Sequence, residues 1–159
     1  MLNESSEKKL ALGDDIGKTL ADTADLSDPT HRIAATLFVV LKNQLELLGY
    51  KPGTVPFDAR FGSAKCRGAL LGTAIAVVRG HREAPERVHY MDAIVAAFTL
   101  VFGEQVGRAK ALETIELSAD KNETVNSASD QAGQDTIDTW SDDSPSAPMA
   151  FYRAATGAL

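Results

Sequence analysis

The stretch "KCRGALLGTAIAVVRG", residues 65–80, decides how the fold is read. Two glycines interrupt a run that is otherwise helix-forming, and a basic residue stands near each end. As a helix, Gly68, Ala69, Gly72, Thr73 and Ala76 gather on one side, while Leu70, Leu71, Ile75, Val77 and Val78 fill the remainder. Two interior glycines cost about 2 kcal/mol of helix propensity relative to alanine. Close approach of a neighbouring helix is the usual compensation, so this face is the expected packing or interface surface. A phosphate-binding loop is the competing reading, and it fails on spacing. Counting from Gly62, the second glycine position holds Arg67 and no Lys-Ser/Thr pair follows. Lys65 and Arg79 sit roughly 21 Å apart along a helix, too far to grip one small anion.

Working outward, "SDPTHRIAATLFVVLKNQLELLGYKPG" is the clearest helix. Ser27 or Asp28 can cap it, Pro29 suits its first position, and Gly49 followed by Pro52 ends it. Ile33, Leu37, Phe38, Val40, Leu41, Leu45, Leu47 and Leu48 cover one half of this helix, and Lys42, Asn43 and Glu46 face away. Gln44 falls inside the apolar half and needs a partner if it is buried. The central helix is expected over residues 58–79, with Gly80 as a left-handed terminator. Pro85 opens a further helix with a stripe of Val88, Met91, Ile94, Val95, Phe98, Val101 and Phe102. Gly103 and Gly107 mark a break or kink, beyond which a helical pattern continues to about Ser118. Residues 5–25 hold a weaker helical pattern, with Leu10, Ile16, Leu20 and Ala24 spaced around Gly13 and Gly17. No segment alternates as a strand does.

The expected fold is therefore all-α, a single-domain bundle of four to five helices over residues 1–118. Residues 119–148 carry only Val125, Ile137 and Trp140 as large apolar side chains among many Ser, Asp, Asn and Gly. Such a segment reads as a mobile acidic tail, because it offers little surface to offset ordering entropy. Residues 149–159, "MAFYRAATGAL", are apolar again and read as docking back on the bundle or as a short peptide offered to a partner.

Charge narrows the function. Residues 60–110 carry eight Lys/Arg against four Asp/Glu, whereas residues 111–159 carry two against nine. The basic centre is small, lacks interleaved aromatics and sits in a chain of net charge −6, which argues against nucleic acid. Neutralisation by the acidic tail or by a partner fits better. Apolar runs of eleven residues, 68–78 and 93–103, are too short for a membrane span of about 20 residues. One cysteine, Cys66, excludes an internal disulfide framework, and the N-terminus lacks a signal-peptide pattern, so a cytoplasmic location is expected.

Candidate chemistry is sparse. Glu86, His89 and Asp92 stand three apart, as a Glu-x-x-His pair does in di-iron bundles, but the second pair such a site needs is missing. Glu83/Glu86 and Glu113/Glu116 superficially resemble the paired acidic motifs of all-helical, Mg²⁺-dependent nucleotide pyrophosphohydrolases. In one continuous helix the two pairs would lie about 45 Å apart, so only a chain reversal at Gly103 or Gly107 joins them. Asp120, Asn122, Thr124 and Asn126 alternate as in a calcium loop, yet Val125 and Gln131 replace its glycine and its bidentate glutamate. Cys66 has no base beside it. By elimination, the expectation is a bundle that acts through protein contact, with a partner or itself in a homo-oligomer, without a cofactor. The metal-dependent enzyme using Mg²⁺ is the alternative.

Overall fold

The computed structural model describes residues 28–81, 87–139 and 147–159. The candidate helix at 5–25, the Glu83/Glu86 pair and Trp140 lie outside the described residues. Within them the chain is all-α, with six helices and no strand: α1 Pro29–Leu48, α2 Ala64–Gly80, α3 Arg87–Phe102, α4 Glu104–Ala119, α5 Glu123–Thr139 and α6 Ala150–Thr156.

Capping defines α1. The Asp28 side chain accepts from the Thr30 N–H at 2.9 Å, Pro29 fills the first turn, and Gly49 ends the helix in the left-handed region at φ +89°. Leu47, expected on the inner half, instead lies on the outside, 62% exposed, because Ile33, Leu37, Leu41 and Leu45 already occupy the inward rows.

The central helix starts later than its apolar pattern implies. Asp58 accepts from the N–H groups of Arg60 and Phe61, closing a separate turn, and Ser63 then caps α2 by accepting from Cys66 N–H at 3.2 Å. Gly80 is helical and not a left-handed terminator; His81 follows it in extended geometry at φ −99°. Between Cys66 and Val78 every residue of α2 except Arg67 and Ile75 is buried, and α2 touches all five other helices. It is the core around which the rest is arranged.

The expectation of a mobile tail over 119–148 is corrected across 123–139. That segment is α5, and its packing on α2 is the most extensive between any two helices. Backbone proximity explains how so polar a sequence docks. A Cβ added to Gly68 would run into the Val125 carbonyl and lie 2.7 Å from the Ala128 Cβ, while one added to Gly72 would overlap the Ser129 carbonyl and lie 2.7 Å from its carbon. The missing side chains of α2 admit the backbone of α5, so the contact needs only small residues. Val125, Ala128, Ala132 and Thr136 supply them, all buried at helical spacing.

A second close approach turns the chain between α3 and α4. Gly103 takes φ +91°, and a Cβ on Gly107 would sit 2.6 Å from the Thr99 Cα. The chain reverses here instead of kinking and continuing. The loop before α2 closes over this corner: Gly53 N–H donates to Leu100 O at 2.6 Å and Val55 N–H to Val101 O at 3.1 Å, satisfying carbonyls that the end of α3 leaves open. Between α4 and α5, Lys121 adopts φ +63°, and Asn122 accepts from Val125 N–H at 3.0 Å as a cap. Two of the alternating oxygen side chains of this turn thus serve helix ends, Asn122 as the cap and Asn126 by pairing with Ser118, whose hydroxyl donates to it at 2.6 Å.

Buried hydroxyls need no cross-helix partner. Thr73, Thr114 and Thr136 each donate to the carbonyl four residues earlier at 2.8 Å, so each packs as a valine-sized side chain.

Candidate functional site

The most specific polar geometry surrounds α6. Gln44, fully buried on α1, donates from Nε2 to Val40 O at 3.0 Å and accepts at Oε1 from Tyr152 N–H at 3.0 Å. Its place inside an apolar stripe is thereby explained: it satisfies an open donor in the first turn of another helix. Asp135 of α5 accepts from Met149 N–H at 2.9 Å and pairs with Arg153 at 3.5 Å. At the other end, Arg60 Nε donates to Ala155 O at 2.8 Å and Lys65 Nζ to Leu159 O at 3.1 Å. Acceptors hold N–H groups where α6 begins, Arg60 holds a carbonyl in its last turn as the helix dipole favours, and Lys65 holds the carbonyl of Leu159 beyond the helix. Between the two ends, Phe151 is fully buried and stacks on Phe61 at 6.5 Å, and Phe61 meets Tyr50 edge-on at 5.3 Å.

A second cluster joins the loop before α2 to α2 and α4. The Phe57 ring carries the Arg67 guanidinium at 4.9 Å and the Lys110 ammonium at 4.8 Å, and meets Phe102 at 5.0 Å. Glu113 bridges the cations, 3.2 Å from Arg67 and 2.9 Å from Lys110. Hydrogen bonds from Lys110 and Arg67 hold its carboxyl below the ordinary value of 4.5. The cluster is a clamp on the loop, and it occupies Glu113.

Of the residues named for metal chemistry, only His89, Asp92, Glu113 and Glu116 are described, and these four do not form a metal cluster. Glu83 and Glu86 are outside the described residues, His89 is half-buried in the first turn of α3, Asp92 and Glu116 are exposed, and Glu113 is committed to two cations. Among the described residues no group of three His, Cys, Asp or Glu is placed to hold a metal ion. His89 and Asp92 instead border a cleft of about 80 Å³ against Thr30, Ile33 and Ala34 of α1. Burial pushes the Cys66 thiol up from 9.0, and its Sγ donates to Arg60 O at 3.4 Å.

The small-residue face of α2 is placed more fully. Gly68, Ala69, Gly72, Thr73 and Ala76 are all buried, and Gly68 and Gly72 meet α5 of the same chain. Charge follows the same division, since α2 carries Lys65, Arg67 and Arg79 without an acid, and α5 carries Glu123, Asp130, Asp135 and Asp138 without a base. A shallow groove of about 420 Å³ opens beside them, lined by Lys65, Glu123, Ser127 and Gln131 among others.

On the outside, Val39 and Leu47 of α1 are 61% and 62% exposed. With Asn43 between them they form one i, i+4, i+8 stripe. Among the described residues no helix is long and apolar enough to cross a membrane. Sequence reading singled out Gln44 because a polar residue in an apolar half must be answered. It missed Asp135 and Arg60, whose roles depend on a helix docking from a distant part of the chain. Comparison with protein-family models, with curated proteins and with solved structures gave no match to this chain. What the fold and its surfaces define is a class alone, an all-α bundle built round a buried central helix.

Proposed function

We propose that the protein acts by protein–protein contact, including contact with a second copy of itself, as an adaptor or regulatory helical module. The carrying observation is the outer stripe of α1, where Val39 and Leu47 are exposed on the same side of a well-capped helix. Within such a stripe two apolar anchors at i and i+8 suit a partner helix laid alongside. Phe38, with Lys42 5.7 Å over its ring, lies on another side of α1 and packs against the core, so the stripe consists of Val39 and Leu47 with Asn43 between them. The glycine face of α2, expected from sequence to serve assembly, does not support this reading because α5 occupies it. A cytoplasmic setting belongs to the same reading and suits the free, buried Cys66.

Sedimentation over a wide concentration range tests self-contact. The expected result is an average mass rising above the 16.9 kDa of one chain, with the rise abolished in Val39→Glu/Leu47→Glu. A one-chain mass at every concentration removes self-contact, and a rise that the double variant leaves unchanged removes α1 as the surface.

A further inference from the structure

The groove that holds α6 recognises backbone more than sequence. Gln44, Asp135, Arg60 and Lys65 all contact main-chain atoms of the 149–159 segment, two at its N–H end and two at its carbonyl end. Three of these contacts reach 108, 95 and 94 residues along the chain and are independent of local chain geometry; the fourth, Asp135 to Met149, spans 14 residues across the connection between α5 and α6. The anchors between them are a phenylalanine and small residues: Phe151 is fully buried, and Ala150, Ala154 and Ala155 are buried beside it. Thr139 and Ala150, the facing ends of α5 and α6, are separated by residues 140–149, "WSDDSPSAPM". A stretch of that length spans up to roughly 33 Å when extended. An identical α6 arriving from another copy would meet every one of the same partners.

We propose that this groove accepts the α6 of a second copy, so that the chain self-associates by exchanging its C-terminal helix. This rests on the self-contact read above and supplies its mechanism. Exchange keeps each contact of the closed chain and loses only the freedom of two separate molecules. Exposed Leu47, about 60° round α1 from Gln44, can add an apolar contact between the two copies that offsets that loss. Closed single chains prevail where the tethered α6 outcompetes free copies, at effective concentrations of order mM for a short linker. Exchange therefore grows with protein concentration.

Two full-length variants test the exchange by complementation. Gln44→Ala/Asp135→Ala breaks the groove and keeps α6; Phe151→Ala disables α6 and keeps the groove. Each is first checked for helical circular dichroism, and Ala154→Glu replaces Phe151→Ala if that variant does not fold. Mixed, the two are expected to give a species of two-chain mass that neither gives alone. Excess synthetic peptide of residues 147–159 should return it to one-chain mass, whereas the same peptide carrying Phe151→Asp should not. A mixture of folded variants that stays at one-chain mass overturns the exchange, as does a two-chain species indifferent to the peptide. If the wild type self-associates and loses this with Val39→Glu/Leu47→Glu while complementation fails, the exchange falls and the α1 contact stands.

Discussion

One added methyl group should have opposite effects at Gly72 and Gly133. Both are helical, and by propensity alone alanine should stabilise each by about 1 kcal/mol. At Gly72 the new Cβ overlaps the Ser129 carbonyl, backbone that can yield only if α5 moves; at Gly133 it would lie an ordinary 3.7 Å from Gly72 O. Gly72→Ala is therefore expected to lose about 1–3 kcal/mol through overpacking, and Gly133→Ala to gain about 0.5–1 kcal/mol. Urea melts of both variants check the pair; equal signs would mean that α5 does not sit where its backbone meets α2. Glu113 gives a second test. Its carboxyl is held low by Lys110 and Arg67, so its contribution is present above pH 4.5 and disappears as pH falls through the lower folded-state value. Glu113 is half exposed, so Glu113→Gln should cost only about 0.5 kcal/mol at neutral pH. The difference from wild type in melting temperature should close in acid. Cys66, buried with a raised pKa, should ignore a chromogenic aryl disulfide at neutral pH until the chain is unfolded.

At the scale of elements, α5 shows why sequence reading stopped short. Counting large apolar side chains in 119–148 finds almost none, and that count is sound for a helix docking through side chains. Here the helix docks through its backbone, and what matters is the match between two stripes. Gly68 and Gly72 on α2 are four apart, as are Ala128, Ala132 and Thr136 on α5, and the first pair is short of atoms where the second set is small. The glycines were legible as a packing face; their partner was hidden because small residues also typify disordered chain. By contrast α1 was legible to its caps, since Asp28, Pro29 and Gly49 act locally. The start of α2 is hidden for a local reason too, because Asp58 and Ser63 are both candidate caps, and Asp58 closes a separate turn while Ser63 caps the helix. Dependence of α5 on α2 has a measurable consequence. Gly68→Val should strip hydrogen-exchange protection from amides of Glu123–Thr139 before those of α1, because a branched side chain there meets the Val125 carbonyl. Loss spread evenly over all six helices would show that α5 has no separate stability to lose.

For the molecule as a whole, the question is whether α6 is an appendage or part of the cooperative core. A helix of seven residues has no independent stability in water. Its order comes from the groove, and the groove in turn is completed by it: without α6, Gln44 Oε1 has no donor, and the ring of Phe61 loses its stacking partner. Phe61 is itself fully buried and meets Tyr50, so the effect runs inward to the loop that leads into α2. Truncating a buried phenylalanine costs about 3–5 kcal/mol, a large share of the 5–15 kcal/mol that typically separates folded from unfolded states. With roughly 2–4 °C per kcal/mol for a chain of this size, Phe151→Ala should lower the melting temperature by about 10 °C while leaving a single transition. A variant that melts at the wild-type temperature would make α6 an appendage. A split transition, with an early loss of about one short helix, would instead separate α6 from the core while preserving its docking. The single, lowered transition is the one this geometry demands, because each group that holds α6 belongs to α1, α2, α5 or the loop entering α2, the same elements that enclose the core.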